Sequence, residues 1–518
     1  MKKKAFALLL AASMVAGLAA GCGNSAGTTG TTGTENSSTT TTDSGDAYCV
    51  GISYITLGSD PTDKQMVEDA MSEYTMEKFG CTVELKSVPI SNISSQYSLW
   101  ASSGEKVDLL CLFTLNMGTL ISDGAIICLD DYMTEENIPN ILRISEERPF
   151  LSGGLYNGQQ YAIPAVNPSD GEGKAMYALK EYMDTIDYEE KDVYTYDDLL
   201  SIFAQLKEQY PDMTPWAQQG ALSSTMAEYF IADDNLGVTG ALAGVLMDVG
   251  NGSTEVVDLF ETDEYYEFLQ FMQACYQNGY ISSDAPTSTD AATDWIVARR
   301  SVGFGIGDDT PGNQENTTAN YGGETVQLNI KPTYVTTSTY NGLNWGVSSS
   351  SENPALALKV YDELFAEDAT LLNMIMNGIE GVHYITRENS KIVDYPEGID
   401  GTNSPYLNLL GLYGDKRNMH MFAPNEDSFY TRSDEYTAEA LTRQSAALGY
   451  TFDQTDYANE IAAVSAVMSQ YLSSLEYGTV DDLDSYYQQF IGALKDAGID
   501  TLVAANQEQL DAFLAGQQ

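Results

Sequence analysis

The sequence predicts an α/β protein of two lobes, each a mostly parallel sheet flanked by helices, with a helical C-terminal region. Three observations predict this class. Strand-like and helix-like segments alternate from Tyr48 to Phe113, as in parallel sheets joined by helical crossovers. The globular body, residues 47–518, is longer than one hydrophobic core usually supports. A new α/β pattern begins at KAMYALKEYM, after an extended segment with Pro164 and Pro168.

The first segments of the body define the first predicted sheet. YCVGISYI is typical of a strand, and DKQMVEDAMSEYTMEKFG of an amphipathic helix that ends at Gly80. CTVELKSV is a second strand, and the continuous apolar run VDLLCLF predicts a third strand that is buried on both faces. Parallel strands present their ligand-binding loops at their carboxyl ends. The loop from Phe113 to Met117 is therefore a candidate ligand contact.

Later segments predict a return to the first lobe and a helical end. VGFGIGDDTPG indicates a strand that enters a glycine-rich turn, and the segment LNIKPTYVTTSTYNGLNWGVSSSSENP a return crossing and a strand. Asn353 and Pro354 predict the start of the next helix. In NEIAAVSAVMSQYLSSLEYG the apolar residues repeat on one helical face, which predicts a packing surface. These residues are Ile461, Val464, Met468, Leu472 and Leu475.

The N-terminus predicts a lipoprotein signal peptide over residues 1–21. Three lysines follow Met1, and a short apolar run leads to LAAGC, which resembles a bacterial lipobox. Cleavage before Cys22 would leave this cysteine to carry the lipid (palmitate). Residues 22–46 are rich in Gly, Ser and Thr and predict a flexible tether. The sequence thus predicts a protein on the outer face of the cytoplasmic membrane, in contact with the membrane through its lipid anchor only.

Charge and motif content argue against several functional classes. The formal net charge of −51 repels phosphate backbones, so a nucleic-acid partner is not expected. HExxH and P-loop motifs do not occur, and His383 and His420 lack a metal-ligand spacing. We therefore expect no catalytic residue, metal or cofactor, and we interpret His383 as structural. The cysteines of the body are expected to be buried small residues, with a disulfide between Cys49 and Cys81 as the alternative.

Several longer motifs resemble a known family. The lipobox and tether, WASSGEKVDLLCLF and GLNWGVSSSSENPALALKVYDELF are similar to family 1 extracellular solute-binding lipoproteins of ABC importers. NGIEGVHYIT, YPEGIDGTNSPY, LGYTFD and YYQQFIGALKDAGIDTLVAANQEQLDAF resemble the C-terminal DUF3502 region of a Gram-positive branch. The resemblance implies a type II periplasmic-binding-protein fold that closes on a small solute, often a sugar or oligosaccharide. It also implies an ABC permease as partner, and we expect a monomer.

The crossings between lobes set the expected domain boundaries. Lobe 1 is expected over residues 47–163 and about 333–370. Lobe 2 is expected over about 164–332 and 371–518, including the DUF3502-like region.

Candidate ligand contacts are aromatic and polar side chains beside turns and crossings. The chain holds 34 tyrosines and 4 tryptophans, and aromatic rings stack well on sugar faces while amides and carboxylates bond hydroxyls. Trp100 and Trp295 are assigned to helix faces. The candidates are Phe113, Asn116, Asn167, Trp216, Gln218, Asp308, Asp309, Tyr340, Trp345 and Tyr413.

Two other functions remain open at this point. A surface glycan-binding adhesin would hold polysaccharide on a fixed platform without passing it to a permease. A binder for peptides or another non-sugar solute would share the two-lobed fold. An importer's binding protein differs from the adhesin by a cleft that closes.

Overall fold

The computed structural model describes most of the globular body. The predicted signal peptide, Cys22, the tether and Gln218 lie outside the described residues. Among the described helices, none is long and apolar enough to cross a membrane. The described residues are 47–217, 225–236, 243–408 and 410–516.

Short and long strands are distributed over the whole body. The strands are β1 (Cys49–Thr56), β2 (Thr82–Pro89), β3 (Leu109–Cys111), β4 (Leu155–Tyr156), β5 (Gln159–Gln160), β6 (Ile163–Pro164), β7 (Lys174–Leu179), β8 (Thr214–Trp216), β9 (Asp234–Asn235), β10 (Val245–Leu246), β11 (Val256–Val257), β12 (Ser301–Asp308), β13 (Thr325–Lys331), β14 (Asn344–Val347), β15 (Ile385–Thr386), β16 (Ile392–Asp394) and β17 (Met421–Phe422).

The longest helices lie at the start and the end of the body. The helices are α1 (Lys64–Phe79), α2 (Ile93–Ser103), α3 (Met117–Ser122), α4 (Pro139–Ser145), α5 (Lys180–Met183), α6 (Tyr196–Gln209), α7 (Asp263–Gln277), α8 (Ala292–Val297), α9 (Asn313–Tyr321), α10 (Thr337–Asn341), α11 (Pro354–Glu363), α12 (Thr370–Asn377), α13 (Ser428–Ala440), α14 (Ala458–Glu476), α15 (Leu483–Ala497) and α16 (Ile499–Gly516).

The first sheet has the strand order β2-β1-β3-β14-β6. β1 pairs in parallel with β2 and β3, as the alternating pattern predicts. β14, the strand after the return crossing, runs antiparallel to both β3 and β6. Almost the whole of β1 is buried on both faces, which explains its continuous apolar sequence.

The second sheet has the order β13-β7-β12-β8 and is mixed. β7 pairs antiparallel with both β12 and β13, and β12 pairs in parallel with β8. The α/β class is confirmed, but the expectation of a mostly parallel second sheet is wrong. The apolar pattern of a buried strand shows that the strand is buried and does not show which direction its neighbours take.

Two large hydrophobic cores lie on the two sheets. The first core takes its side chains from residues 50–166, 335–376 and 406–440. The second takes them from residues 176–334 and 447–510. Buried residues between 371 and 440, such as Ile375 and Tyr413, therefore belong to the first core, whereas the sequence analysis placed this segment in lobe 2. These residues join the first core because α12 packs against α1. The exact lobe boundaries stay a prediction.

His383 has a structural environment, as predicted. Its ring is fully buried, and Nδ1 accepts a hydrogen bond from the backbone N–H of Ile379 at 2.9 Å. Nε2 lies 3.3 Å from an Asp63 carboxylate oxygen. Gly378 has a φ of 87°, and a Cβ at this position would lie 2.6 Å from His383 Nδ1. The glycine therefore allows the histidine to pack against the end of α12.

The C-terminal helices pack as their sequence pattern predicts. Val464, Met468, Leu472 and Leu475 are buried in the second core, and Ile461 is half-buried against it. The cysteines within the described residues, including Cys49 and Cys81, are free thiols. In the same residues no group of three His, Cys, Asp or Glu side chains is arranged to hold a metal ion.

Candidate ligand-binding site

Three chain segments cross between the two cores side by side. Glu172 N–H in the first crossing donates to the Tyr334 carbonyl in the second at 2.9 Å. In the second crossing, Val335 donates to the Arg443 carbonyl at 3.0 Å and accepts from Ser445 N–H at 2.8 Å. The sequence analysis identified the first two crossings. The third, near residue 444, was missed because it runs from one helical segment into another.

A buried polar network holds the first two crossings together. Arg148 donates to an Asp170 carboxylate oxygen at 3.1 Å and to the Asn167 carbonyl at 3.5 Å. The Tyr340 hydroxyl donates to the same Asp170 oxygen at 3.0 Å. Arg148, Asp170 and Tyr340 are almost fully buried. We call Arg148, Asp170 and Tyr340 the hinge network; it brings the predicted residues Asn167 and Tyr340 together.

A second set of polar side chains lies where the second sheet faces α13, and we call it the interlobe cluster. Its residues are Lys174, Glu228, Tyr229, Asp308, Asp309 and Tyr436. Lys174, the first residue of β7, forms an ion pair with Asp308, the last residue of β12, because the two are paired in the antiparallel register. The Lys174 ammonium lies 5.7 Å from the centre of the Tyr229 ring.

The cluster also connects the second sheet with the helix that follows the first core. The Tyr436 hydroxyl on α13 donates to an Asp309 carboxylate oxygen and accepts from the Thr333 hydroxyl at 2.8 Å. Arg432, one turn earlier on α13, forms an ion pair of 2.6 Å with Glu315 on α9. Side chains of the second sheet and of α13, whose Ala440 is buried in the first core, therefore meet in this region.

Partial burial shifts the pKa values of the ionisable side chains in the interlobe cluster. Burial, together with the charge of Asp308, raises the pKa of Asp309 to about 6, although the Tyr436 hydrogen bond opposes the shift. Burial also raises the pKa of Glu228, against the charges of Lys331 and Lys174. For Lys174, burial acts to lower the pKa, but the hydrogen bond and charge of Asp308 outweigh it and raise the pKa. Such partly desolvated donors and acceptors are suited to bond a neutral, hydroxyl-rich ligand.

The predicted tryptophans lie inside the two cores. Trp216 is 2 % exposed, and its ring lies about 6 Å, centre to centre, from those of Phe203, Phe230 and Phe271. Trp216 therefore has no free face for a sugar in this structure.

Trp345 and Tyr413 are also core residues. Trp345 is 2 % exposed, and its indole N–H donates to the Leu412 carbonyl at 2.7 Å. Its ring centre lies 5.0 Å from that of Tyr413 and 5.7 Å from that of Tyr361. The structure gives no support for either residue as a stacking surface, because neighbouring rings already cover them.

The loop after β3 has a local role in the fold. Phe113 is half-buried against the first core. Asn116 is exposed and caps α3, since its side-chain oxygen accepts from Thr119 N–H at 2.9 Å. Among the ten predicted residues, Asp308 and Asp309 share the interlobe cluster, and Asn167 and Tyr340 share the hinge region. As ligand contacts, all ten stay predictions.

The sequence analysis missed four members of the interlobe cluster. Lys174 was noted only as the start of a new α/β pattern, and Tyr436 was not assigned to any element. Glu228 and Tyr229 lie in a 3-10 turn, Ala227–Tyr229, with no sequence motif of its own. The antiparallel pairing of β7 and β12 would have placed Lys174 opposite Asp308, but that pairing direction cannot be read from one sequence.

A charged cavity of about 330 Å³ lies on the first-core side of the crossings. The Lys391 ammonium lies 4.8 Å from the centre of the Tyr430 ring in its wall and covers part of that ring. No lining residue comes from the second core, so a ligand there would contact one lobe only. The lining residues are Arg143, Glu147, Pro168, Glu367, Lys391, Arg417, Asn418, Tyr430, Ser433 and Asp434.

Known proteins match the chain both locally and over its full length. Residues 446–515 match the domain of unknown function DUF3502; these residues include α14 and α15 and most of α16. A carbohydrate ABC transporter substrate-binding protein of Streptococcus pneumoniae serotype 4 is 26% identical over 541 residues, which cover 100% of this chain and 99% of the relative.

Two solved structures, from different bacterial species, share the fold of this chain. The N-glycan transport solute-binding protein NgtS of Streptococcus pneumoniae has a TM-score of 0.74 at 22% identity, covering 91% of this chain and 100% of NgtS. A human-milk-oligosaccharide (HMO)-binding solute-binding protein of Bifidobacterium longum infantis has a TM-score of 0.65 at 17% identity, covering 90% and 99%. The chain therefore has the type II fold of solute-binding proteins and carries a DUF3502 domain at its C-terminus.

Proposed function

We propose that this protein is the solute-binding component of an ABC importer, and that it captures a sugar or oligosaccharide between its lobes for delivery to a permease. The observation that carries the proposal is the interlobe cluster. It combines a half-buried tyrosine ring with carboxylates, a lysine and a second tyrosine hydroxyl, and these are the groups that recognise sugar rings and hydroxyls. The names of the relatives support the same solute class, since NgtS has been crystallised with Man1GlcNAc and a second neighbour, FusA, with kestose.

Binding would act through closure of the two lobes. A ligand that contacts Tyr229 and Asp308 from one side and α13 from the other is bound best when the lobes are close together. Such a ligand shifts the population toward the closed state by its difference in affinity for the two states. An adhesin with a fixed platform would show no such change, so a ligand-dependent decrease in radius of gyration separates the two functions.

A panel of solutes tests the proposed function directly. The panel contains mannosyl-GlcNAc oligosaccharides, kestose, milk oligosaccharides, free amino acids and short peptides. A sugar at about 100 times its Kd should add about 2.7 kcal/mol to the free energy of unfolding. A response to peptides together with none to any sugar would contradict the carbohydrate assignment.

Tyr229 is the matched test of the site. Tyr229→Ala should weaken binding of the best sugar by about tenfold, or about 1.4 kcal/mol, because a stacking surface is lost. Tyr210 is the control, since it is also half-buried but packs edge-on against Tyr182 in another part of the second lobe. Equal affinities for wild type and Tyr229→Ala by calorimetry would place the ligand elsewhere.

The membrane attachment is part of the same proposal. The protein is held as a monomer at the outer face of the membrane by a lipid on Cys22. Cys22→Ser should release the protein into the medium and abolish labelling by a palmitate analogue. Retention of the variant at the membrane would show that another segment anchors it.

A further inference from the structure

The turn that carries Glu228 and Tyr229 has little regular structure of its own. Between residues 225 and 236 it contains only a 3-10 turn of three residues and the two-residue strand β9. Its backbone geometry must therefore be fixed by contacts with other parts of the chain. Lys331 and Ser445 hold Ala232 and Asp234, and the contacts at the start of the segment come from the DUF3502 domain, far along the sequence.

Glu476 makes the first of these contacts. It is the last residue of α14, and its side chain is fully buried. One carboxylate oxygen accepts from the hydroxyls of Thr225 and Tyr265, and the other accepts from Met226 N–H. A buried carboxyl group is costly unless its hydrogen bonds are made. The position of Thr225 and Met226 is therefore strongly coupled to that of α14.

Thr225 also forms a hydrogen bond with the 3-10 turn and so connects Glu476 with it. Its hydroxyl oxygen also accepts from Ala227 N–H at 3.1 Å, and Ala227 is the first residue of the 3-10 turn. Glu228 and Tyr229 follow directly. Two hydrogen bonds thus connect a buried side chain of the DUF3502 domain with Ala227, the residue directly before Glu228.

α16 supports the other end of the same segment. The Gln507 side-chain oxygen accepts from Val256 N–H in β11 at 2.7 Å, and β11 pairs with β10, which pairs with β9. Asn506, which is fully buried, donates to the Ala243 carbonyl at 3.3 Å just before β10. The segment from Thr225 to β9 is therefore connected to the DUF3502 domain at both ends.

We propose that the DUF3502 domain fixes the ligand-facing turn at Glu228 and Tyr229, and that Glu476 is its main positioning residue. Glu476 contacts no ligand in this proposal and acts through Thr225 and Met226. The proposal gives a role in recognition to a domain of unknown function, and it rests on the proposed sugar-binding function only for its affinity readout.

Glu476→Gln tests the proposal with little change in volume. The amide keeps one oxygen to accept from Thr225 and Tyr265, but it presents an NH2 group to Met226 N–H. We expect faster hydrogen exchange in peptides covering residues 225–230, unchanged exchange in the first core, and about tenfold weaker sugar binding. Thr225→Val removes the hydroxyl that donates to Glu476 and is the milder change. It should shift both readouts in the same direction, and it provides the test if Glu476→Gln does not fold.

Met468→Ala is the matched control. Met468 is buried on the same helix and has no bond to residues 225 and 226. It should lower Tm and leave the exchange of residues 225–230 and the affinity unchanged. Unchanged exchange of residues 225–230 in both Glu476→Gln and Thr225→Val would overturn the proposal, as would equal effects of Met468→Ala. The exchange readout needs no ligand, so it tests whether Glu476 fixes the turn even if no sugar in the panel binds.

Discussion

The hinge network and the interlobe cluster contain similar groups but differ in burial. In the hinge network, Arg148, Asp170 and Tyr340 are nearly inaccessible to solvent and bond to one another. In the interlobe cluster, Asp308 is exposed, and Lys174 and Tyr229 are only partly covered. A sealed network stabilises the fold, because its buried groups depend on one another for their hydrogen bonds. An open one can exchange water for the hydroxyls of a ligand.

Removal of the cation from the hinge network should have the largest effect on stability. Arg148→Met leaves the Asp170 carboxylate buried without its cation, which typically costs about 3–5 kcal/mol. Urea denaturation of the variant measures this loss. Adding Asp170→Asn should recover part of it, since the uncompensated charge is then absent. A loss below about 1 kcal/mol would show that the hinge network is not sealed.

Trp345→Ala should have a comparable effect through packing. The change removes a ring that contacts Tyr361 and Tyr413 and leaves a cavity, for which about 3–5 kcal/mol is typical. Trp295→Ala is the control, because Trp295 is half-buried and stacks on the Arg300 guanidinium at 3.8 Å. If Trp345→Ala weakened sugar binding without lowering the unfolding free energy, Trp345 would belong to the site after all.

Burial explains why the sequence analysis succeeded for some elements and failed for the tryptophans. The parallel pairing of β1 with β2 follows from the strand–helix–strand order of the first segments, and the buried face of α14 follows from its local apolar pattern. The cover over Trp216 comes from Phe203, Phe230 and Phe271, which lie on segments separated by many residues. A position beside a turn cannot show whether such a cover forms, so the aromatic candidates could not be sorted from sequence.

Buried carboxyl groups of the second lobe should make stability depend on pH. Burial, together with the charge of Glu172, raises the pKa of Asp234 to about 7, against the Ser445 hydrogen bond and the Lys331 charge. Burial also raises the pKa of Glu476 to about 7, although the hydrogen bonds from Thr225, Met226 and Tyr265 oppose this shift.

The sign of this dependence follows from proton binding. Unfolded Asp and Glu ionise near pH 4, so between about pH 4 and 7 the native state binds more protons than the unfolded state. The contribution of these two groups is fully present near pH 4 and is lost as the pH rises to 7, by about 2 kcal/mol or more. Asp234→Asn should reduce the slope of the urea midpoint against pH. An unchanged slope would mean that Asp234 is ionised in the folded protein.

The same replacement of a cation by methionine in the interlobe cluster should have the smallest effect on stability. Lys174 pairs with Asp308, whose side chain is 58% exposed, and pairs with an exposed partner contribute about 0–1 kcal/mol. Lys174→Met should therefore leave the urea midpoint nearly unchanged while it weakens sugar binding by about tenfold, since a donor to the ligand is lost. Arg148→Met should show the reverse: a large decrease in the urea midpoint and a small change in sugar affinity. If the ratio of stability loss to affinity loss were similar in the two variants, burial would not distinguish the hinge network from the interlobe cluster.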